Sequence, residues 1–415
     1  MDEPRLPHAT GVTWPVRSCA SRDEVRVALS AIFHYFGRTE PRPEQLEALT
    51  HILPTDRMLA AWDGEQIVGG AGVFPMLLTI PGGRVPAAGV TVVGVLPTHR
   101  RRGVLSAMMR AQLDDCRRRG EPLAALWASE DVIYGRFGYG LASLTGEIAI
   151  PRDRSRYAAP FEPFGATRLV PRGEAEKLVA PIWETVAART PGMFARSSGW
   201  WQARALADPE WQRGGGDLRC VVLDADDAPA AYALYRMNDR WDHGVSLGSI
   251  DVREAIGVSP AATRAIWRYL LDMDLVASLK AGFLPVDHPL FLLMAEPRRL
   301  HFTMRDGLWV RLVDVAAALT ARSYAAPGAV VLELTDAFCP RNAGRWHISD
   351  KAVVRTQSAP DLRADVTTLA SAYLGGFSWS QLAAAFRVEE LRPGALAQAD
   401  ALFRTEVAPW CPELF

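Results

Sequence analysis

The stretch Val92-Val93-Gly94-Val95-Leu96-Pro97-Thr98-His99-Arg100-Arg101-Arg102-Gly103-Val104-Leu105 constrains this chain more than any other. Its apolar start reads as a strand that ends at Pro97, and a basic turn leads into a helix that begins at about Gly103. The helix, over 104–119, repeats Val104, Leu105, Met108, Met109 and Leu113 on one face and stops at Gly120. Arg117, Arg118 and Arg119 lie in its last turn, where cations suit the helix dipole. Arg100, Arg101 and Arg102 crowd the opposite end, where the dipole is positive and cations are unfavourable. A bound anion reverses that sign. Free backbone N–H groups, a close-approach glycine at 103 and three guanidinium groups make a pyrophosphate cradle. The plain alternative is a strand-to-helix junction with solvated arginines. Neither a Gly-x-Gly-x-x-Gly run nor a Walker lysine accompanies the junction, which argues against NAD and ATP sites.

The surrounding pattern is α/β. Residues 22–36 place Val25, Leu29, Ile32, Phe33 and Phe36 at helical spacing. Met58–Trp62 and Gln66–Gly69 flank the turn signal Asp63-Gly64, and two strands flank Pro81-Gly82-Gly83. A strand over 123–128 follows the basic helix. Pro151 to Gly165 reads as a linker. Beyond it come a helix over 174–188, a hairpin across Asp224 to Asp227, and a strand feeding a helix over 260–272, with Ser259 as N-cap and Pro260 at its first position. From about Arg298, Asp306-Gly307 reads as a turn and Asp314 as the cap of helix 315–322. Val330–Thr335 reads as a strand, and helices follow over 365–374, 379–386 and 394–406. With 415 residues the chain exceeds one ordinary core. We divide it into 1–150, 151–298 and 299–415.

A formal net charge of −1 removes any global attraction to nucleic acid or anionic membrane. No apolar run of about 18 residues is present, so no membrane span is expected. The opening Met1-Asp2-Glu3-Pro4-Arg5 does not resemble a signal peptide. The cysteines Cys19, Cys116, Cys220, Cys339 and Cys411 are dispersed and odd in number, which points to a reducing, cytoplasmic compartment and away from disulfides or zinc. No histidine stands at ligand spacing, so no metal is expected.

Val-x-Pro-x-x-Arg-Arg-x-Gly before a helix resembles the coenzyme A motif of the GNAT N-acetyltransferase superfamily. The departure is Leu105 where that motif has Gly or Ala, which is tolerable if Leu105 faces the core. Downstream, Ala128-Ser129-Glu130-Asp131-Val132-Ile133-Tyr134-Gly135-Arg136-Phe137-Gly138-Tyr139-Gly140 resembles the Eis (enhanced intracellular survival) branch of actinobacterial acetyltransferases. Asp306-Gly307-Leu308-Trp309-Val310-Arg311 and the terminus Glu413-Leu414-Phe415 extend the resemblance over nearly the whole chain.

That resemblance implies two GNAT-like domains, the second without a cofactor site, followed by a sterol-carrier-protein-like domain. It implies acetyl-CoA as co-substrate and a homohexamer. Carried over by position, Val93, Gly94 and Val95 present strand backbone to the pantetheine arm and thioester. Arg100, Arg101, Arg102, Gly103, Val104, Leu105 and Ser106 hold the phosphates, and Ser129 and Glu130 touch the cofactor's far end. Tyr134 is the general acid and the Phe415 carboxylate the general base.

The chemistry agrees. Alkyl amines are protonated at neutral pH and must lose a proton to attack a thioester, which a carboxylate can accept. A tyrosine can protonate the departing thiolate, and backbone N–H groups can stabilise the oxyanion. On residue type alone, Tyr134 reads as packing and Phe415 as a frayed end. Tyr139 is the competing tyrosine and is read as core.

The second strand-to-helix junction, Gly257-Val258-Ser259-Pro260-Ala261, lacks arginines, so no cofactor is expected there. Trp200, Trp201 and Trp211 read as core or interface aromatics. The expected acceptor is a small-molecule amine, by resemblance an aminoglycoside acetylated at more than one amino group. Alternatives are protein lysine at the same site, or a lipid-carrier role for the third segment with a vestigial first domain. The first helix offers Asp23, Glu24, Phe33, His34, Tyr35 and Phe36 and is not plainly acidic, so Glu130, Glu406 and Glu413 are the other candidate acids.

Overall fold

The computed structural model describes residues 14–209 and 214–415. Trp211 and the opening five residues lie outside them. The first sheet runs in the order Val16–Ser18, Met58–Asp63, Gln66–Ile80, Gly83–Val95, Leu123–Trp127, Leu308–Leu312, Gly140–Leu141. Along Gln66–Ile80 the side chains alternate between two apolar layers. Phe74, Met76 and Leu78 join the layer of Val25 and Leu29 from helix Arg22–Phe33. Val68, Ala71 and Val73 join Val104, Met108 and Leu113 from helix Val104–Arg118. The first helix is capped by Ser21, whose hydroxyl accepts from the Glu24 N–H. It lies so close to the sheet that a Cβ on Gly94 would stand 2.6 Å from the Ile32 nitrogen. Phe36 does not share its buried face. The helix ends at Phe33, a tighter 3₁₀ turn over His34–Phe36 follows, and Phe36 is 63% exposed.

The second sheet runs Thr303–Asp306, Leu144–Pro151, Ser278–Leu284, Ser249–Gly257, Ala228–Asn238, Arg219–Ala225, Ala166–Val170. Its strand Ser249–Gly257, helix Pro260–Leu271 and parallel strand Ser278–Leu284 repeat the strand–helix–strand unit of the first sheet. The Asp306-Gly307 turn is a correction: the chain there leaves the second sheet and enters the first. It does so beside Ser143, where the chain makes the opposite passage. The Gly307 N–H donates to the Ser143 carbonyl at 2.9 Å and the Leu308 N–H to the Ser143 hydroxyl at 2.9 Å. A Cβ on Gly307 would meet that hydroxyl at 2.7 Å, so the glycine serves close approach rather than a turn conformation.

The third sheet runs Val353–Arg355, Gly344–Ser349, Ala329–Thr335, Leu362–Asp365, Val388–Glu390. Helices Val315–Ala321, Val366–Tyr373, Trp379–Ala384 and Ala395–Phe403 accompany it, the first capped by Asp314 as expected. Buried Arg322 has no carboxylate partner among the described residues. Its guanidinium donates to the carbonyls of Tyr373 (2.8 Å) and Phe403 (2.5 Å), the last residues of two helices, where the dipoles are negative. Burial lowers its pKa to about 10. Arg311 of the first sheet pairs with Asp336 at 2.6 Å with both side chains fully buried, so the first and third units share an interior. After Phe403 the chain runs back along the other units. The Ala408 N–H bonds Asp287 at 2.9 Å, the Trp410 N–H the Pro191 carbonyl at 2.8 Å, and the Trp410 indole the Phe283 carbonyl at 2.5 Å. No described helix is long and apolar enough to cross a membrane, and all five cysteines are buried and unpaired.

Candidate active site

Strands Gly83–Val95 and Leu123–Trp127 are parallel neighbours, yet they pair only from Ala87–Gly89 to Leu123–Ala125. Beyond that the ladder stops. On its other side, Gly83–Val95 slips by one residue against Gln66–Ile80, and Val92 takes φ +48°. This β-bulge re-aims the strand just where its partner leaves it. The stretch from Val90 to Val95 therefore borders a wedge that opens toward Trp127 and Ala128.

The wedge leads to the N-terminus of helix Val104–Arg118. Gly103 is the N-cap, with φ +89° and no side-chain acceptor, so the first-turn N–H groups are not met by a capping side chain. Gly103 owes its place to that φ. A Cβ there would find only the Trp14 indole nitrogen, at 3.9 Å. Arg100, Arg101, Arg102 and Ser106 are exposed, and none of the three arginines pairs with a carboxylate among the described residues. Aromatic rings brace the turn instead. The Trp14 indole donates to the Arg102 carbonyl at 2.8 Å and its ring lies under that guanidinium. Tyr35 sits beside Arg100 and donates its hydroxyl to the Val95 carbonyl at 2.8 Å. Buried His99 meets Asp63 at 3.1 Å and the Thr98 hydroxyl at 2.8 Å. This donor set suits a pyrophosphate: uncapped backbone N–H groups, unpaired guanidinium groups and an open glycine. Leu105 is half-buried in the core beside this helix, the orientation its departure from the motif requires. Ser129 and Glu130 are exposed at the far lip of the wedge.

The pleat separates the two remaining candidates. Tyr134 belongs to the apolar layer of Val93, Val95, Leu126 and Ala128. Phe415 belongs to the opposite layer, with Val92, Trp127 and Phe33. The wedge thus lies between the tyrosine and the terminal residue. Tyr134 closes the short helix Asp131–Tyr134 and is only 8% exposed. Burial, with the nearby Glu130 carboxylate, raises its pKa to about 12, so it keeps its proton at neutral pH. Tyr139 is fully buried, its hydroxyl without a partner, and packs edge-on to Tyr134 at 5.8 Å. Phe415 is buried and packs edge-on to Phe194 at 6.0 Å, and Arg204 donates to the Leu414 carbonyl.

On the Phe415 side a cavity of about 740 Å³ reaches from Val92 and Phe33 out between the first and second units. Its acids are Glu44, Glu176 and Asp208. Asp208 lies between Arg172 (3.2 Å) and Arg236 (2.6 Å), whereas exposed Glu44 and half-buried Glu176 carry no ion pair among the described residues. The acids of this wall without an ion pair among the described residues thus come from helices Pro43–Thr50 and Arg172–Ala187 rather than from the first helix, and Glu413 lies against Arg196 at 2.7 Å. Sequence reasoning missed these two glutamates and Trp14, and it gave Tyr35 and His99, both of which it named, no part in bracing the turn, because each acts across a long sequence separation. His99, directly before the arginine run, was the one available signal.

Residues 18–142 match a family model described as a GNAT acetyltransferase domain, residues 192–312 match a second such model, and residues 315–412 match a sterol carrier protein domain. The fold and its open wedge are thus those of an N-acetyltransferase with two GNAT units and a sterol-carrier-like third. An uncharacterized N-acetyltransferase of Streptomyces avermitilis is 43% identical over 404 residues, covering 95% of this chain and 98% of that one. The N-acetyltransferase Eis of Mycobacterium tuberculosis is 35% identical over 382 residues, covering 88% and 91%. The crystal structure of Eis1 from Mycobacterium abscessus superposes with a TM-score of 0.85 at 37% identity, covering 97% of this chain and all of that one. The chain belongs to the Eis family of GNAT N-acetyltransferases.

Proposed function

We propose that this enzyme transfers acetyl from acetyl-CoA to small-molecule amines, aminoglycosides at more than one amino group being the acceptor class the cavity suits. The observation that carries the reading is the placement of Tyr134 and Phe415 on opposite faces of one open wedge whose end is an uncapped, arginine-lined helix N-terminus. Acetyl-CoA supplies an activated thioester. Arg100, Arg101, Arg102 and the N–H groups of Gly103, Val104, Leu105 and Ser106 hold its phosphates, and the backbone of Val93, Gly94 and Val95 lines the pantetheine path. Ser129 and Glu130 close the far lip. Tyr134 holds a proton on the thiol side, and its raised pKa keeps that proton available throughout the neutral range. The Phe415 carboxylate accepts the amine's proton on the cavity side. The unpaired Glu44 and Glu176 attract a polycationic acceptor to that cavity.

The cavity lies between two units, which favours a small acceptor over a lysine on a folded protein. The interior of the third unit is occupied by Trp379, Tyr373, Leu369 and Leu402, all essentially inaccessible, which speaks against a lipid carrier. The five free, buried cysteines are what supports a cytoplasmic location in this reading, and the family likeness is what supports a hexameric assembly. The test is release of free coenzyme A thiol from acetyl-CoA with aminoglycosides, polyamines and lysine peptides. Turnover is expected with several aminoglycosides, lost in Tyr134→Ala. Preference for lysine peptides would move the assignment to protein acetylation.

A further inference from the structure

One buried cation ties all three units together next to the chain terminus. Arg196 is carried by a segment that is hydrogen-bonded to the first sheet: the Thr79 N–H donates to the Met193 carbonyl at 2.8 Å and the Ala195 N–H to the Leu77 carbonyl at 3.0 Å. Its guanidinium is 1% exposed and stacks 3.3 Å from the Trp183 ring centroid and 4.5 Å from that of Trp201. It makes two bonds to Glu254 of the second sheet, at 2.6 and 3.1 Å. It makes one more to Oε2 of Glu413 in the tail, from Nε at 3.0 Å, and its Nη2 lies 2.7 Å from that same oxygen. The Tyr232 hydroxyl holds Glu254 from behind at 2.5 Å. Glu254 follows the bulge residue Arg253, whose own guanidinium is taken by the carbonyls of Ala205 and Ala207. Arg204 adds a contact to Glu413 at 3.9 Å and a bond to the Leu414 carbonyl.

Resting on the proposed role of the Phe415 carboxylate, we infer that Arg196, Glu254 and Glu413 act as a positioning device that fixes where the terminal carboxylate stands. A chain end normally frays. Two residues span at most about 7 Å, so pinning Glu413 confines the terminus to one small region. The planar guanidinium, bidentate to Glu254, holds one oxygen of Glu413 between Nε and Nη2 and so fixes that carboxylate in place. The Phe194 ring, two residues before Arg196 on the same segment, seats Phe415. On this account the second GNAT unit contributes to the first unit's reaction through a carboxylate that never meets the substrate.

The experiment compares Glu413→Gln in the full chain and in a chain ending at Leu414, with acetyl-CoA and an aminoglycoside. Displacing a reacting group by about 1 Å can cost on the order of 100-fold in rate. In the full chain we expect a kcat loss of about that size with KM for acetyl-CoA unchanged. In the shortened chain, already lacking the base, Glu413→Gln should change the residual rate by less than about twofold, since both changes then act through one group. A purely structural network would add the same loss in both chains, and that result, or full kcat in the Glu413→Gln full chain, overturns the inference. Glu254→Gln, isosteric and one step further away, should give about a tenfold kcat loss without loss of the folded state, checked by thermal melting. If the chain ending at Leu414 turns over normally, the base assignment fails first and the positioning role with it. If shortening abolishes turnover while Glu413→Gln does not, only the positioning role fails.

Discussion

The two strand–helix–strand units carry the same backbone plan and treat its exposed groups in opposite ways. Both have a bulged strand, at Val92 and at Arg253, followed by a helix and a parallel strand. In the first, the helix starts at Gly103 with no capping side chain and with cations that have no acid partner among the described residues. In the second, the Ser259 hydroxyl accepts from the Ala262 N–H, Pro260 removes another donor, and the residues of the bulge are paired: Arg253 with carbonyls, Glu254 with Arg196. A helix N-terminus binds an anion when the protein leaves its donors unmet, and becomes scaffold when a serine meets them. The first unit forgoes the stability of a cap, and on the proposed reading keeps its donors for a ligand.

The sharpest break of this comparison is removal of Phe415. If the first unit alone performs chemistry with a base lent by the tail, turnover should fall by about 10³ with acetyl-CoA affinity retained in a calorimetric titration. A rate within a few-fold of the intact chain would mean the base lies elsewhere. Tyr134→Phe should lower kcat by about 10² and leave KM for the amine near its original value. Its raised pKa has a second consequence. The folded state holds this proton more tightly than the unfolded chain does. The stability it represents is complete below the ordinary tyrosine pKa of 10 and is lost as pH rises toward about 12. The melting temperature should therefore drop above pH 10, less steeply in Tyr134→Phe. Equal alkaline slopes would show that Tyr134 is not among the buried groups whose proton the folded state holds.

Smaller effects separate the two helix starts. Replacing Arg101 and Arg102 together by Ala should raise KM for acetyl-CoA by about tenfold, more at low salt, with kcat little changed. An unchanged KM would return these arginines to solvated surface charge. Ser259→Ala should cost about 1 kcal/mol of stability in chemical denaturation and leave both KM values alone, since its hydroxyl serves only the fold. A change in KM for acetyl-CoA there would erase the distinction between the two units.

Much of the first unit was legible because its signals are local. The bulge strand, basic turn and helix lie within one contiguous stretch, and Ser259 and Asp314 cap the helices their positions announce. Phe36 misled because spacing cannot report where a helix tightens into a 3₁₀ turn. Gly307 misled because the sequence of a turn and that of a close crossing are alike: both favour glycine, one for φ and the other for room.

Local sequence chemistry by itself signalled which helix N-terminus would be left uncapped and that the chain is α/β with more than one core; the three-part plan and the choice of tyrosine came with the family resemblance. Tertiary structure alone decided that Leu308–Leu312 completes the first sheet and Leu144–Pro151 enters the second. It also decided that the acidic wall comes from Glu44 and Glu176, and that Arg196 joins Glu254 to Glu413 across all three units. The reason is the range of the forces. Caps, turns and periodicity act within a few residues and leave their mark in sequence order. Strand pairing and buried ion pairs depend on which surfaces the folded chain brings together, and residues 217 positions apart carry no local sign of meeting.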